Sequence, residues 1–104
     1  MAAIRVVANF RVKPGREANL LEAGRAFKKH MDRLGATFVV VRQVFGPEPN
    51  HIVAVSQYSD WNHFAKAQSD REVAQFLEAT RREKDPPWES LAVSVSEEII
   101  IIGG

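Results

Sequence analysis

Chemistry in this chain would have to come from a small set of polar side chains scattered through apolar sequence. Cysteine is absent, which removes disulfides, thiolate metal sites and cysteine nucleophiles. The three histidines, His30, His51 and His63, fall in three separate segments, and no pair has the i, i+4 spacing that places two imidazoles on one helical face. No metal site and no cofactor is therefore expected. Glu97 and Glu98 are neighbours, but on a strand neighbours point to opposite faces, so they cannot work as an acid/base pair. Neither a phosphate-binding glycine loop nor a G-x-S-x-G elbow occurs. What remains is Asn9, Arg42, Gln57 and Tyr58, each set in a run of β-branched residues, with Trp61 and His63 close behind. A buried, unpaired amide costs about 1–3 kcal/mol, so these groups must find partners. Two readings are open. They converge on an apolar pocket and orient a small molecule, or they pair at sheet edges and across an interface. Trp61, Trp88 and Phe64 carry the same ambiguity between lining a pocket and capping a small core. Asn9, Arg42, Gln57, Tyr58, Trp61 and His63 form the candidate pocket; no catalytic role is assigned.

These residues are positioned by elements with clear signatures. Residues 4–12 alternate, with Ile4, Val6, Ala8, Phe10 and Val12 on one side and Arg5, Asn9 and Arg11 on the other, which predicts a strand. Lys13-Pro14-Gly15 breaks it, and Leu20, Ala23, Gly24, Phe27, Met31 and Leu34 then recur at helical spacing, with Gly35 as the stop. Residues 37–45 and 51–59 read as a hairpin around the turn residues Gly46-Pro47-Glu48-Pro49-Asn50. Ser59-Asp60 starts a short helix. Ser69-Asp70-Arg71-Glu72 has the S-x-x-E capping-box pattern and starts another, running to about Arg82. A fourth strand is expected over residues 91–102. The order is βαββαβ, an α+β domain spanning residues 1–104, with a four-stranded antiparallel sheet and helices on one face.

Composition agrees with a folded chain and limits its partners. Hydrophobic residues make up 45% and charged residues 26%, so the chain is not disordered by composition. A net charge of +1 gives no field to hold nucleic acid by counterion release. Residues 51–55 also lack the aromatic and glycine pattern with which the RNA-binding members of this topology stack bases. No signal peptide precedes the first strand and no apolar run approaches the roughly 20 residues of a membrane helix, so a cytoplasmic protein without membrane contact is expected.

The strands hold a further clue. Val39-Val40-Val41, Val53-Ala54-Val55 and Ile99-Ile100-Ile101-Ile102 place apolar groups on both faces, whereas helices can cover only one. The simplest cover for the other face is a second copy of the same sheet, a homodimer with sheets facing each other. The four isoleucines are expected to extend onto the partner, because exposed they would forgo about 1.5–3 kcal/mol each.

The element order, together with Arg11-Val12-Lys13-Pro14-Gly15-Arg16-Glu17, Tyr58-Ser59-Asp60-Trp61 and Pro87-Trp88-Glu89, resembles the dimeric α/β-barrel superfamily. That group includes antibiotic-biosynthesis monooxygenase domains, NIPSNAP-like proteins and heme-degrading monooxygenases. The resemblance implies a ferredoxin-like protomer with a pocket between sheet and helices. Its heme-degrading members resemble this chain at Asn9 but need a tryptophan and a histidine on the second helical region. Residues 64–82 have neither, so heme degradation is not expected. Two functions follow as expectations. One is a cofactor-independent monooxygenase-like enzyme acting on an apolar or aromatic small molecule, with Asn9 donating to a substrate oxygen. The other is a non-catalytic dimeric binding or accessory module.

Overall fold

The computed structural model describes residues 3–43 and 51–99. Seven elements follow one another: β1 (Ile4–Val12), α1 (Glu17–Arg33), β2 (Thr37–Arg42), β3 (His51–Tyr58), α2 (Trp61–Gln68), α3 (Arg71–Arg81) and β4 (Trp88–Glu97). The strands form one antiparallel sheet in the order β2-β3-β1-β4, the ferredoxin-like arrangement expected from the sequence. The turn at residues 46–50 and the isoleucines from 100 onward lie outside the described residues. Among the described residues no helix is long and apolar enough to cross a membrane.

Register fixes which side chains share a face. On the helix side the rows across the sheet run Phe38–Ser56–Val6–Val95, then Val40–Ala54–Ala8–Val93, then Arg42–Ile52–Phe10–Ser90. On the open side two apolar rows, Val39–Val55–Val7–Ser94 and Val41–Val53–Asn9–Ala92, lie between the polar rows Thr37–Gln57–Arg5–Ser96 and His51–Arg11–Glu89. The β1–β4 ladder shifts between Asn9 and Phe10. Leu91 is the extra residue of this bulge. Beyond it Ser90 and Trp88 stand on the helix side.

Local chemistry sets the helix ends. Gly35, at φ 73°, follows the Leu34 cap of α1, and the N–H groups of Gly35 and Ala36 return to the carbonyls of Asp32 and Met31. That pattern satisfies carbonyls the helix leaves unpaired. Asp60 caps α2 by accepting from the His63 N–H at 2.8 Å. α3 departs from the capping box: Asp70, not Ser69, accepts from the Val73 N–H at 3.0 Å, while the Ser69 hydroxyl turns back to the Ala65 carbonyl. Asp70 is favoured because the same carboxylate also takes two hydrogen bonds from Arg33 of α1, at 3.1 and 2.7 Å. These bonds, the Arg33 pair first, hold the Asp70 pKa down to about 2. β4 starts at Trp88, three residues before the expected strand, because the Pro87 carbonyl accepts from the Lys13 N–H and zips the strand to the end of β1.

The core is small. Ile4, Met31, Ala36, Tyr58, Ala67 and Val73 form one buried cluster, and Val12, Leu20 and Ile52 form a second. The helices leave β4 bare on their own side of the sheet, where Val93 is 62% exposed.

Candidate functional site

Between the two core clusters the helix side of the sheet is not filled. A cavity of about 530 Å³ lies there, floored by Ala8, Ala54 and Ser56 and roofed in part by Ala23 and Gly24 of α1. Small residues explain the gap. Ala8 and Ala54 pair directly across β1 and β3, while Gly24 lets α1 sit close over β2, where an added Cβ would stand 3.4 Å from Val40. Large aromatic side chains ring the space: Phe10, Phe27, Phe38, Phe76, Tyr58 and Trp88. They brace one another. Phe27 packs on Phe38 at 5.0 Å and on Phe76 at 5.5 Å, and Phe10 meets Trp88 edge to face at 5.8 Å. The Phe27–Phe76 contact, with the Arg33–Asp70 pair, joins α1 to α3 above the sheet.

Polar groups on the wall are few. Tyr58 is buried, and its hydroxyl donates to the Met31 sulfur at 3.5 Å. Thr80 donates to the Leu77 carbonyl. Arg81 is the one charged residue on the lining among those described; it bonds Glu78, which also binds Arg82. Ser56 is 5% exposed and makes no side-chain hydrogen bond among the described residues. No carboxylate or imidazole is found among the described lining residues.

Of the six residues singled out in the sequence, only Tyr58 lines this cavity. Asn9 and Gln57 face the opposite side of the sheet. There Asn9 Oδ1 lies 2.8 Å from His51 Nε2, and Gln57 accepts from Arg5 at 3.2 Å. Arg42 is on the helix side but pairs with Glu17 at the start of α1, beside a separate cleft of about 80 Å³. Trp61 is 51% exposed; its indole N–H donates to Glu97 at 2.5 Å. His63 has both ring nitrogens occupied: Nδ1 accepts from the Ser59 N–H at 3.0 Å, and Nε2 donates to the Leu34 carbonyl at 2.6 Å. This imidazole ties the start of α2 to the end of α1. Glu97 and Glu98 divide as strand geometry requires, Glu97 toward Trp61 and Glu98 toward Arg5. Among the described residues no group of three histidine or carboxylate side chains stands close enough to hold a metal ion.

Sequence reasoning missed Ser56, Ala8, Ala54 and the phenylalanines as site residues. The available signal was small residues at alternate strand positions facing the small pair Ala23-Gly24 in the helix stripe.

The architecture matches solved structures over nearly the whole chain. A putative antibiotic biosynthesis monooxygenase from Deinococcus radiodurans superposes with a TM-score of 0.71 at 14% identity, covering 97% of this chain and 99% of that one. SnoaB, a cofactor-independent oxygenase from Streptomyces nogalater, gives 0.74 at 13% identity over 100% of both chains. This is the antibiotic-biosynthesis-monooxygenase-like fold. A conserved protein from Bacteroides thetaiotaomicron, a possible oxidoreductase, gives 0.72 at 12% identity over 93% of this chain and 98% of that one. No family model and no curated protein matches the chain. At these identities the likeness to antibiotic-biosynthesis-monooxygenase-like proteins is one of fold.

Proposed function

We propose that this protein is a homodimeric, small-molecule-binding member of the monooxygenase-like fold, acting without a cofactor on a planar aromatic compound. The observation that carries this is the cavity of about 530 Å³, walled by aromatic rings and closed to most polar groups. Its size and lining are those of a ligand site in which apolar surface supplies affinity and a few polar atoms set orientation. Fold likeness to a cofactor-independent oxygenase supports the reaction class. A phenol or enol conjugated to a methylene carbon brings its own acidity to such a wall, where neither carboxylate nor imidazole is found among the described lining residues. Its anion can reduce dioxygen: a carbon–oxygen bond forms, the methylene becomes a carbonyl, and the second oxygen leaves as water with the two methylene hydrogens. The same lining supports a second reading, a carrier that binds such a compound and does not turn it over.

An oxygen electrode separates the two. Incubated in air with phenolic aromatics bearing a ring methylene, the protein is expected to consume one dioxygen per carbonyl formed, followed by absorbance. Binding by equilibrium dialysis without oxygen uptake favours the carrier. Neither binding nor uptake across such a panel refutes both.

The open side of the sheet supports the dimer. Its two valine-rich rows lie between polar and charged rows, the arrangement of an apolar interface core inside a polar rim.

A further inference from the structure

Ser56 stands out once every polar atom on the cavity wall is accounted for. Its position on β3, an inner strand, gives it Val6 and Phe38 as cross-strand neighbours and Ala54 and Tyr58 along its own strand on the same face. The first three offer no acceptor. The Tyr58 hydroxyl is committed to the Met31 sulfur. Other polar residues on the lining are bonded, as Thr80 and Arg81 are, or exposed, as Gln68 and Ser90 are. Ser56 alone on the described wall is both polar, at 5% exposure, and without a side-chain partner. Its oxygen is not one of the fully buried side-chain atoms left without a partner, which are Gln43 Oε1 and His51 Nδ1 among the described residues, so the hydroxyl opens onto the cavity. Alanine would fit the same backbone, as it does at Ala54 and Ala8 beside it.

Resting on the reading of the cavity as a ligand site, we infer that the Ser56 hydroxyl is the donor that orients the ligand, and that the ligand carries a carbonyl or ionised hydroxyl oxygen on its aromatic body. The oxygen lies against the sheet at Ser56 while the rings pack among Phe27, Phe38 and Phe76. A serine hydroxyl rotates freely, can donate one hydrogen bond as well as accept, and carries no charge, so a neutral carbonyl oxygen suffices as its partner. For a substrate that ionises before meeting dioxygen, this donor sits where negative charge collects on oxygen and stabilises the anion against an apolar wall. Ser56 is thus a specificity-determining residue.

The test uses two rings of one shape, fluorene and 9-fluorenone, which differ by a methylene against a carbonyl. Binding of both to the full-length protein and to Ser56→Ala is measured by equilibrium dialysis, with thermal melts of each protein. Ser56→Ala is expected to lose about 3- to 10-fold in fluorenone affinity, the size of one net hydrogen bond, and to keep its fluorene affinity. Its melting temperature should hold, because the hydroxyl opens onto the cavity and makes no side-chain hydrogen bond within the fold. Ser56→Thr, which keeps the hydroxyl, should retain the fluorenone preference. Equal fluorenone binding by wild type and Ser56→Ala, with both probes bound, overturns the role of Ser56 and leaves the cavity reading standing. A destabilised Ser56→Ala also overturns it, since the hydroxyl would then serve the fold. Failure of the wild type to bind either ring overturns the cavity reading and this inference together.

Discussion

Replacing Val39 and Val41 together with serine puts the proposed dimer to a quantitative test. The two side chains are 54% and 45% exposed on the open side of the sheet, so about half of each is available for burial by a second copy. Fully burying a valine is worth about 1.5 kcal/mol at the lower end of the range for large apolar side chains, giving about 0.75 kcal/mol for each half-covered valine. Two valines from each of two chains then supply about 3 kcal/mol of association free energy. At about 1.4 kcal/mol per factor of ten, the double variant should dissociate about 100-fold more readily. Sedimentation velocity over a range from nanomolar to 100 micromolar reads this directly. Wild type should sediment at twice the 11.7 kDa chain mass and the variant should shift toward monomer with dilution. The folded protomer should survive, since both positions already face solvent. A wild-type chain that is monomeric at the highest concentration would sink the argument. So would a double variant as tightly dimeric as wild type, because the rows would then not be the contact.

Two further outcomes are expected. His63→Ala leaves the Leu34 carbonyl and the Ser59 N–H without their partner, and should lower stability by about 1–3 kcal/mol in urea denaturation; a change under 0.5 kcal/mol would show that water replaces the ring without loss. Asp70 has its pKa depressed to about 2, by the Arg33 hydrogen bonds first and then the Val73 N–H. A carboxylate with a lowered folded pKa stabilises above its unfolded pKa and loses that contribution as pH falls through the folded value. Wild type should therefore lose urea resistance between about pH 4 and pH 2 more steeply than Asp70→Asn, and parallel curves would refute the assignment.

The sheet was legible in the sequence because its signals are local. β1 alternates at every position but Val7, and the stripe from Leu20 to Leu34 and the stop at Gly35 are written in consecutive residues. Where a long-range bond decides, local reading failed. The apolar pattern predicts the fourth strand only from residue 91, yet the Lys13 N–H captures the Pro87 carbonyl and starts β4 at Trp88. Ser69 fits a capping box, yet Arg33, 37 positions away, recruits Asp70 instead. The candidate site fared less well for the same reason. Polar residues in apolar strands drew attention, but Asn9 and Gln57 are matched to cross-strand neighbours and Arg42 to Glu17 of α1, and neither kind of match is visible until the elements are placed against one another. The cavity is defined by what is missing, the side-chain volume at Ala8, Ala54 and Ser56. An absence of volume becomes a site only when those three positions meet in space.

The bulge at Leu91 bears on how such a pocket changes among related sequences. Side chains on a strand alternate, so in a ladder without an extra residue the positions of Trp88 and Ser90 would stand opposite to Val93 and Val95. Trp88 belongs to the cavity wall because one residue is inserted, and its indole would otherwise join the valine rows on the far side. The shape of the cavity wall and the composition of the open side are thus counted out by a single insertion in β4. Gain or loss of one residue there would exchange an aromatic surface between the two sides of the sheet in one step, a change that no series of point substitutions in β4 makes so abruptly.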